Sequence, residues 1–87
     1  MMNKTGAIFL DRDGVINQNS HDHVKSWDEF HFILGALQSI RELTGTGLPI
    51  FVVTNQAAVN RRLITVDTLN DIHDRMQAAI IQTGGKI

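Results

Sequence analysis

Two short apolar runs, each ending in polar residues, constrain this chain more than any other feature of its sequence. The first run, AIFL, leads into Asp11, and the second, LPIFVV, leads into Thr54. Each run is continuous rather than alternating, which is typical of strands that are buried on both faces of a parallel sheet. We therefore predict buried strands over residues 6–11 and 48–53.

Two helical segments accompany the predicted strands. Residues 35–44 carry apolar side chains at helical spacing, and Gly45 follows that stretch as a stop. The longest helix is predicted over about residues 65–82, with Thr65 as its N-cap and the pair Gly84-Gly85 at its end. The apolar face of this helix is predicted to contain Val66, Leu69, Ile72, Met76, Ala79 and Ile80.

The order of these elements predicts the fold class. Strand, helix, strand and helix follow one another, with residues 14–34 as a flap after the first strand. This βαβα order implies an α/β fold in which parallel strands are joined by right-handed crossovers. We expect residues 1–87 to form a single, partial Rossmann-like domain. The interval between the polar residues that follow the two strands, Asp11 and Thr54, leaves no room for a large cap domain.

Composition narrows the classes of partner. The formal net charge is -1 and charged residues make up 20% of the chain, which argues against a strongly basic nucleic-acid surface. The chain has no cysteine, so disulfide and thiolate chemistry are excluded. The apolar stretch before Asp11 is too short for a signal peptide or a membrane span, so we expect a cytoplasmic protein with no membrane partner.

Asp11 and Asp13 are the main candidates for a functional site. In open parallel sheets, ligands bind beyond the carboxyl ends of the strands, and both Asp11 and Thr54 fall at such ends. Two neighbouring carboxylates repel each other unless a cation lies between them, and Mg²⁺ prefers oxygen ligands. The hydroxyl of Thr54 and nearby backbone N–H groups could hold an anion. Together these features predict a site for a phosphate and a divalent cation.

Other interpretations of the same residues stay open. The sequence Asp-x-Asp-Gly alone is also typical of a turn with solvated carboxylates, or of the metal motif of nucleotide-sugar transferases, which would leave Thr54 and Asn55 without a role. His73 is interpreted as an ordinary residue of a helix face. The flap contains four residues that could bind a transition metal: His21, Asp22, His23 and His31. A solvated flap that touches substrate is the simpler interpretation.

Two motifs give the chain a family resemblance. FLDRDGVIN, residues 9–17, together with VVTNQ, residues 52–56, resembles the haloacid dehalogenase-like phosphatases. Within that family the chain is most similar to the group that contains heptose bisphosphate phosphatase and histidinol-phosphate phosphatase. The resemblance runs along nearly the whole chain but covers only the N-terminal half or so of a typical family domain.

The resemblance implies a role for each matching residue. Asp11 would be the nucleophile that attacks phosphorus and a ligand of Mg²⁺. Asp13 would be the general acid and base, and its backbone carbonyl would also bind the metal. Thr54 would hydrogen-bond the phosphoryl group, Asn55 would lie close to the substrate, and Arg61 would meet a second anionic group of the substrate.

The resemblance also implies what the chain lacks. The family's third and fourth motifs, a lysine and an acidic residue that completes the metal shell, lie beyond the matching stretch. Two positions depart from the pattern: Leu34 stands where proline is common, and Arg62 stands where glycine is usual after Arg61. A side chain at Arg62 would either strain a turn that needs a positive φ or bring extra positive charge to the phosphate.

The expected function is therefore that of a Mg²⁺-dependent phosphatase acting on a small phosphorylated metabolite, such as a heptose bisphosphate or histidinol phosphate. We expect a truncated form with little activity alone, which self-associates through an exposed sheet edge or needs a complementary half. The alternative is a non-catalytic half-domain that binds metal or phosphate, or serves as an assembly fragment.

Overall fold

The computed structural model describes residues 6–19, 23–54, 59 and 61–87. Within these ranges the chain forms strand β1 (Ile8–Asp11), helix α1 (Ala36–Thr44), strand β2 (Ile50–Val53) and helix α2 (Val66–Gln82). A short 3₁₀ helix, Trp27–Glu29, lies in the flap between β1 and α1. This order confirms the predicted βαβα arrangement.

The two strands lie side by side and run parallel. Ile8 pairs with Ile50 at one end of the sheet, and Asp11 pairs with Val53 at the other. The side chains of Ile8, Leu10 and Ile50 face the core, where they meet apolar residues of both helices. Because α1 and α2 contribute to the same core, they cover the same face of the sheet.

The opposite face of the sheet is exposed, so the prediction of strands buried on both faces is wrong. Phe9 is 68% exposed and Phe51 is 51% exposed, and their rings stack with centroids 5.5 Å apart. Val53 is also half exposed. A continuous apolar run looks the same in sequence whether one face or both faces of the strand are covered, because the covering elements lie elsewhere in the chain.

The predicted helix ends agree with the structure. The side chain of Thr65 accepts a hydrogen bond of 3.1 Å from the backbone N–H of Thr68, which confirms it as the N-cap of α2. Leu69, Ile72 and two further residues of the predicted face are buried, but Val66 is exposed and does not belong to that face. Val66 is the first helical residue, where the helix begins at the edge of the core.

Gly85, three residues beyond the end of α2, lies at a point of close approach between the two helices. A Cβ atom at this position would lie 2.9 Å from Cγ2 of Ile80 and 3.0 Å from Cγ2 of Ile40. The next residue, Lys86, donates its backbone N–H to Oγ1 of Thr44 over 3.0 Å. These contacts fix the end of α2 against α1, and both helices cover the core face of the sheet.

Within the described ranges, no helix is both long and apolar enough to cross a membrane.

Candidate functional site

The carboxyl ends of both strands meet at one edge of the sheet. Asp11 pairs with Val53, and the backbone N–H of Arg12 donates to the carbonyl oxygen of Val53 over 2.9 Å. Thr54 is the next residue after Val53, so Asp11 and Thr54 lie at the same edge of the sheet. The side chain of Asp11 is exposed there. Such an edge is where ligands bind in parallel sheets.

Thr54 offers a buried hydroxyl to this edge. Its Oγ1 atom is shielded from solvent and has no hydrogen-bond partner within the part of the chain that the structure describes. A buried hydroxyl without a partner costs about 1–3 kcal/mol, so this hydroxyl is available to a bound water, ion or ligand. The hydroxyl can donate to a phosphate oxygen, which fits the role that the sequence predicts for Thr54.

Asp13 is neutralised by the residue next to it. The guanidinium of Arg12 donates from Nη2 to Oδ1 of Asp13 over 2.9 Å and to Oδ2 over 3.2 Å, and from Nε to Oδ1 over 3.2 Å. Arg12 is only 4% exposed, so this ion pair is partly shielded from water. The repulsion expected between Asp11 and Asp13 is therefore reduced by a protein cation.

Asn17 holds the same carboxylate from another side. Its Nδ2 atom donates to Oδ1 of Asp13 over 2.9 Å and to the carbonyl oxygen of Gln18 over 3.1 Å. The side chain of Asn17 is fully buried, and its Oδ1 atom has no partner among the described residues. Gly14 allows this turn, because its φ of 86° lies in a region that other residues rarely adopt.

His73 of α2 reaches the site through Arg12. Its Nε2 atom lies 3.1 Å from Nη1 of Arg12. Burial lowers the pKa of His73 below its usual value, and the positive charge of Arg12 lowers the pKa further. A neutral imidazole can accept a hydrogen bond from the guanidinium, so the pKa direction agrees with the geometry.

Among the clefts of the described residues, two lie near the ends of strand β2. One, about 470 Å³, opens beside Pro49, Ile50 and Lys86, at the amino end of β2. The smaller of these two, about 270 Å³, is lined by Thr54 and His73 among others. We assign the functional site to the end with the smaller cleft, because the polar groups of the strand ends lie there and ligands of parallel sheets bind at that end.

The other predicted site residues fall into two groups. Arg61 is described and exposed, on the turn that precedes α2. Asn55 lies outside the described residues, as do His21 and Asp22 of the flap, so their predicted roles stay predictions. Within the described ranges, no three side chains of histidine, aspartate or glutamate come together as a metal site.

The donors at the strand ends fit part of a magnesium shell. Asp11 has an exposed carboxylate, a ligand that suits Mg²⁺. The carboxylate of Asp13 is already engaged by Arg12 and Asn17, which agrees with the implied use of its backbone carbonyl instead.

Sequence reasoning missed three residues of this edge: Arg12, Asn17 and His73. The motif Asp-Arg-Asp shows that Arg12 lies between two acids, and this charge alternation is a usable signal. In an extended strand, however, successive residues point to opposite sides, so Arg12 would be expected to point away from Asp13. The turn after Asp11 brings them together. His73 is sixty-one positions from Arg12 in the sequence, and no local sequence pattern predicts a contact over such a separation.

Comparison with curated proteins identifies close relatives. The chain is 46% identical over 80 residues to the D-glycero-beta-D-manno-heptose-1,7-bisphosphate 7-phosphatase of Bordetella bronchiseptica, covering 92% of this chain and 45% of the relative. The protein of the same name from Neisseria meningitidis is 42% identical, with 92% and 43% covered. The chain thus spans less than half the length of these relatives. No family model matches the chain.

Solved structures give the same result. The chain resembles the crystal structure of D,D-heptose 1,7-bisphosphate phosphatase from B. bronchiseptica, which is complexed with magnesium and phosphate. The TM-score is 0.91 at 44% identity, covering 95% of this chain and 46% of the other. It also resembles a HAD-like phosphatase from Mesorhizobium loti, described as putative in its own name, with a TM-score of 0.81 at 27% identity and 93% and 38% covered. The α/β fold of this chain therefore matches the corresponding part of these phosphatase structures.

The likeness in sequence and the likeness in structure run over the same stretch of chain and point to the same relatives. The chain is similar to a part, less than half, of the heptose-1,7-bisphosphate 7-phosphatases, and its structure is similar to the corresponding part of a HAD-like phosphatase.

Proposed function

We propose that this chain carries the nucleophile and the phosphate-holding edge of a Mg²⁺-dependent phosphatase. The observation that supports the proposal most is the meeting of Asp11 with the buried, partnerless hydroxyl of Thr54 at the carboxyl ends of two paired strands. Among the residues that the structure describes, none forms a hydrogen bond with that hydroxyl. A phosphate bound there would contact both the nucleophile and a hydrogen-bond donor.

The proposed reaction follows from these groups. A carboxylate oxygen of Asp11 attacks phosphorus, and the bond to the leaving oxygen breaks. Asp13, in its protonated form, gives its proton to the leaving oxygen and thereby becomes the carboxylate that Arg12 holds. Water then hydrolyses the resulting aspartyl-phosphate, with Asp13 accepting a proton from that water. When bound, Mg²⁺ would be held by Asp11 and the backbone carbonyl of Asp13, and it would neutralise negative charge on the phosphoryl group. Thr54 orients the phosphoryl oxygens, since positioning supplies much of the catalysis of phosphoryl transfer.

The substrate class is part of the same proposal. The relatives named above are heptose-1,7-bisphosphate 7-phosphatases, and one solved relative is complexed with magnesium and phosphate. We propose a small phosphorylated metabolite, of which a heptose bisphosphate is the leading member and histidinol phosphate the alternative. Arg61 would bind a second anionic group, and Asn55 would lie beside the substrate. The expected cytoplasmic location stays a prediction.

A second candidate function is supported by a different observation. Asp11 is the one carboxylate at the strand ends that has an exposed side chain and is not engaged by Arg12, within the described ranges. A single free carboxylate gives a weak metal site. The chain would then act as a non-catalytic half-domain that binds phosphate or metal, or as an assembly fragment, and would show binding without turnover.

One assay separates the two functions. The purified chain is incubated with Mg²⁺ and an aryl phosphate, and in parallel with a heptose 1,7-bisphosphate, and released phosphate is measured. We expect slow turnover, in keeping with a truncated form that has little activity alone, which depends on Mg²⁺ and is lost in Asp11→Asn. That substitution keeps the shape of the side chain but removes the nucleophile. Asp71→Asn, on the exposed side of α2, is the matched control and should retain activity. Phosphate binding without turnover by the parent chain would favour the half-domain.

A further inference from the structure

Arg12 carries a buried charge and stands in the sequence between Asp11 and Asp13, the two predicted catalytic carboxylates. It is only 4% exposed, and arginine is rarely this buried unless its charge is paired. Its guanidinium holds Asp13 through three short contacts and lies with its central carbon 5.9 Å from the ring centre of Phe30. The flap and the catalytic turn are therefore joined through one side chain.

His73, on helix α2, is a further contact of the Arg12 guanidinium. The guanidinium has only donors, so the contact of 3.1 Å requires Nε2 of His73 to accept. The imidazole must then carry its proton on Nδ1. This assignment follows from the chemistry of arginine, and it agrees with the lowered pKa of His73, which favours the neutral ring.

The contact ties α2 to the catalytic turn. Of the Arg12 nitrogens, Nε and Nη2 face Asp13, while Nη1 faces His73. Because the guanidinium is a rigid plane, an acceptor at Nη1 sets the rotation of the whole group and thereby the direction in which the other two nitrogens donate. His73 thus controls the placement of the Asp13 carboxylate without touching it.

We propose that Arg12 and His73 are positioning residues for Asp13, with His73 orienting Arg12 and Arg12 orienting the carboxylate. The proposal rests on the proposed function for its catalytic meaning, since Asp13 is the general acid and base of that mechanism. The geometry itself is independent of that function. Asn17 holds the carboxylate from the other side and would keep it near its place when Arg12 shifts.

The test uses two substitutions at His73. His73→Gln places an amide oxygen near the position of Nε2 and keeps an acceptor for Arg12, whereas His73→Leu keeps bulk and removes the acceptor. Both variants are first checked for folding by circular dichroism. Substituting His73 is preferred to substituting Arg12, because removing Arg12 leaves the Asp13 charge without its cation and endangers the fold.

Nuclear magnetic resonance supplies the readout that does not need activity. In the parent chain, ¹⁵N spectra should show the His73 ring protonated on Nδ1. The ¹³Cγ signal of Asp13 should move in His73→Leu and stay near its parent position in His73→Gln. A ring protonated on Nε2, or an Asp13 signal unchanged in His73→Leu, would overturn the proposal.

Kinetics supply the catalytic readout. With the aryl phosphate and Mg²⁺, we expect His73→Leu to lower kcat by roughly 10-fold or more with little change in KM, because a misplaced catalytic group slows the chemical step. His73→Gln should restore most of kcat. Equal loss in both variants would contradict the proposal. A parent chain without turnover would instead count against the proposed function, and the spectra would still decide the positioning.

Discussion

Arg62, which precedes helix α2, has a strained backbone conformation. Its φ is 59°, in the left-handed region that costs a residue with a Cβ about 1–2 kcal/mol. The backbone N–H of Arg62 donates to the carbonyl of Val59 over 2.9 Å, which holds this conformation. Of the two expectations for this position, the structure supports backbone strain.

Replacing Arg62 with glycine should therefore stabilise the chain. We expect Arg62→Gly to raise the free energy of unfolding by about 0.5–1 kcal/mol, since relief of strain exceeds the added freedom of glycine in the unfolded state. Urea unfolding measures the change. Arg61→Gly, the neighbouring control without a positive φ, should bring no gain. Equal or opposite effects at the two positions would refute the role of strain.

His73 makes the stability of the chain depend on pH. Burial and the charge of Arg12 lower its pKa from 6.5, against the opposing effects of Asp13 and Asp74. The unfolded chain then binds more protons than the folded chain as the pH falls below about 6.5, so the stabilising contribution is complete above that pH and is lost below it. The folded protein should thus weaken on acidification through this range.

The measurement compares the parent with His73→Gln. Urea unfolding at a series of pH values from neutral to mildly acidic should show a steeper loss of stability in the parent than in the variant, because glutamine does not titrate. Parallel curves for the two proteins would show that His73 titrates alike in the folded and unfolded chain, contrary to this account.

At the scale of helices and strands, local patterns were enough to predict the order of the elements and the bounds of the helices, whereas both strands begin two residues later than predicted. Apolar spacing placed α1 and α2 within one residue of their observed ends, and the N-cap at Thr65 was correct. The exposed second face of the sheet could not be predicted, because the apolar run of a strand does not reveal which elements cover it. The Arg12–His73 contact also escaped prediction, since it joins distant parts of the chain.

The N-cap of α2 gives a prediction at this scale. Oγ1 of Thr65 accepts from the backbone N–H of Thr68 over 3.1 Å, and Thr65→Ala removes that acceptor. We expect a loss of about 1 kcal/mol in the free energy of unfolding, within the range seen for lost N-caps. Thr65→Ser keeps the hydroxyl and should cost much less. If serine and alanine destabilise equally, the capping hydrogen bond is not the cause.

At the scale of the whole molecule, the uncovered sheet face is the dominant feature. Phe9 and Phe51 form a stacked apolar pair on that face, next to the half-exposed Val53. Parallel sheets normally have both faces covered, and exposed apolar patches promote association. The chain spans 45% of the length of its Bordetella relative, and that relative therefore has further residues outside the part that matches this chain.

The exposed face predicts self-association of the isolated chain. Sedimentation velocity should show a coefficient that rises with protein concentration, and Phe51→Lys should reduce the rise by placing a charge on the face. Leu34→Lys is the matched control, because Leu34 is fully exposed but lies off the sheet, just before α1. A single monomeric species at all concentrations of the parent would contradict the prediction.

If Asp11 receives the phosphoryl group at the carboxyl ends of the two strands, as we propose, the covalent intermediate on Asp11 can be trapped. The chain is incubated with Mg²⁺ and acetyl phosphate and then reduced with borohydride, which converts an aspartyl-phosphate to homoserine. Mass spectrometry of the peptides should find homoserine at position 11, and none in Asp11→Asn. The absence of homoserine in the parent chain, or its appearance at position 13 instead, would contradict the account.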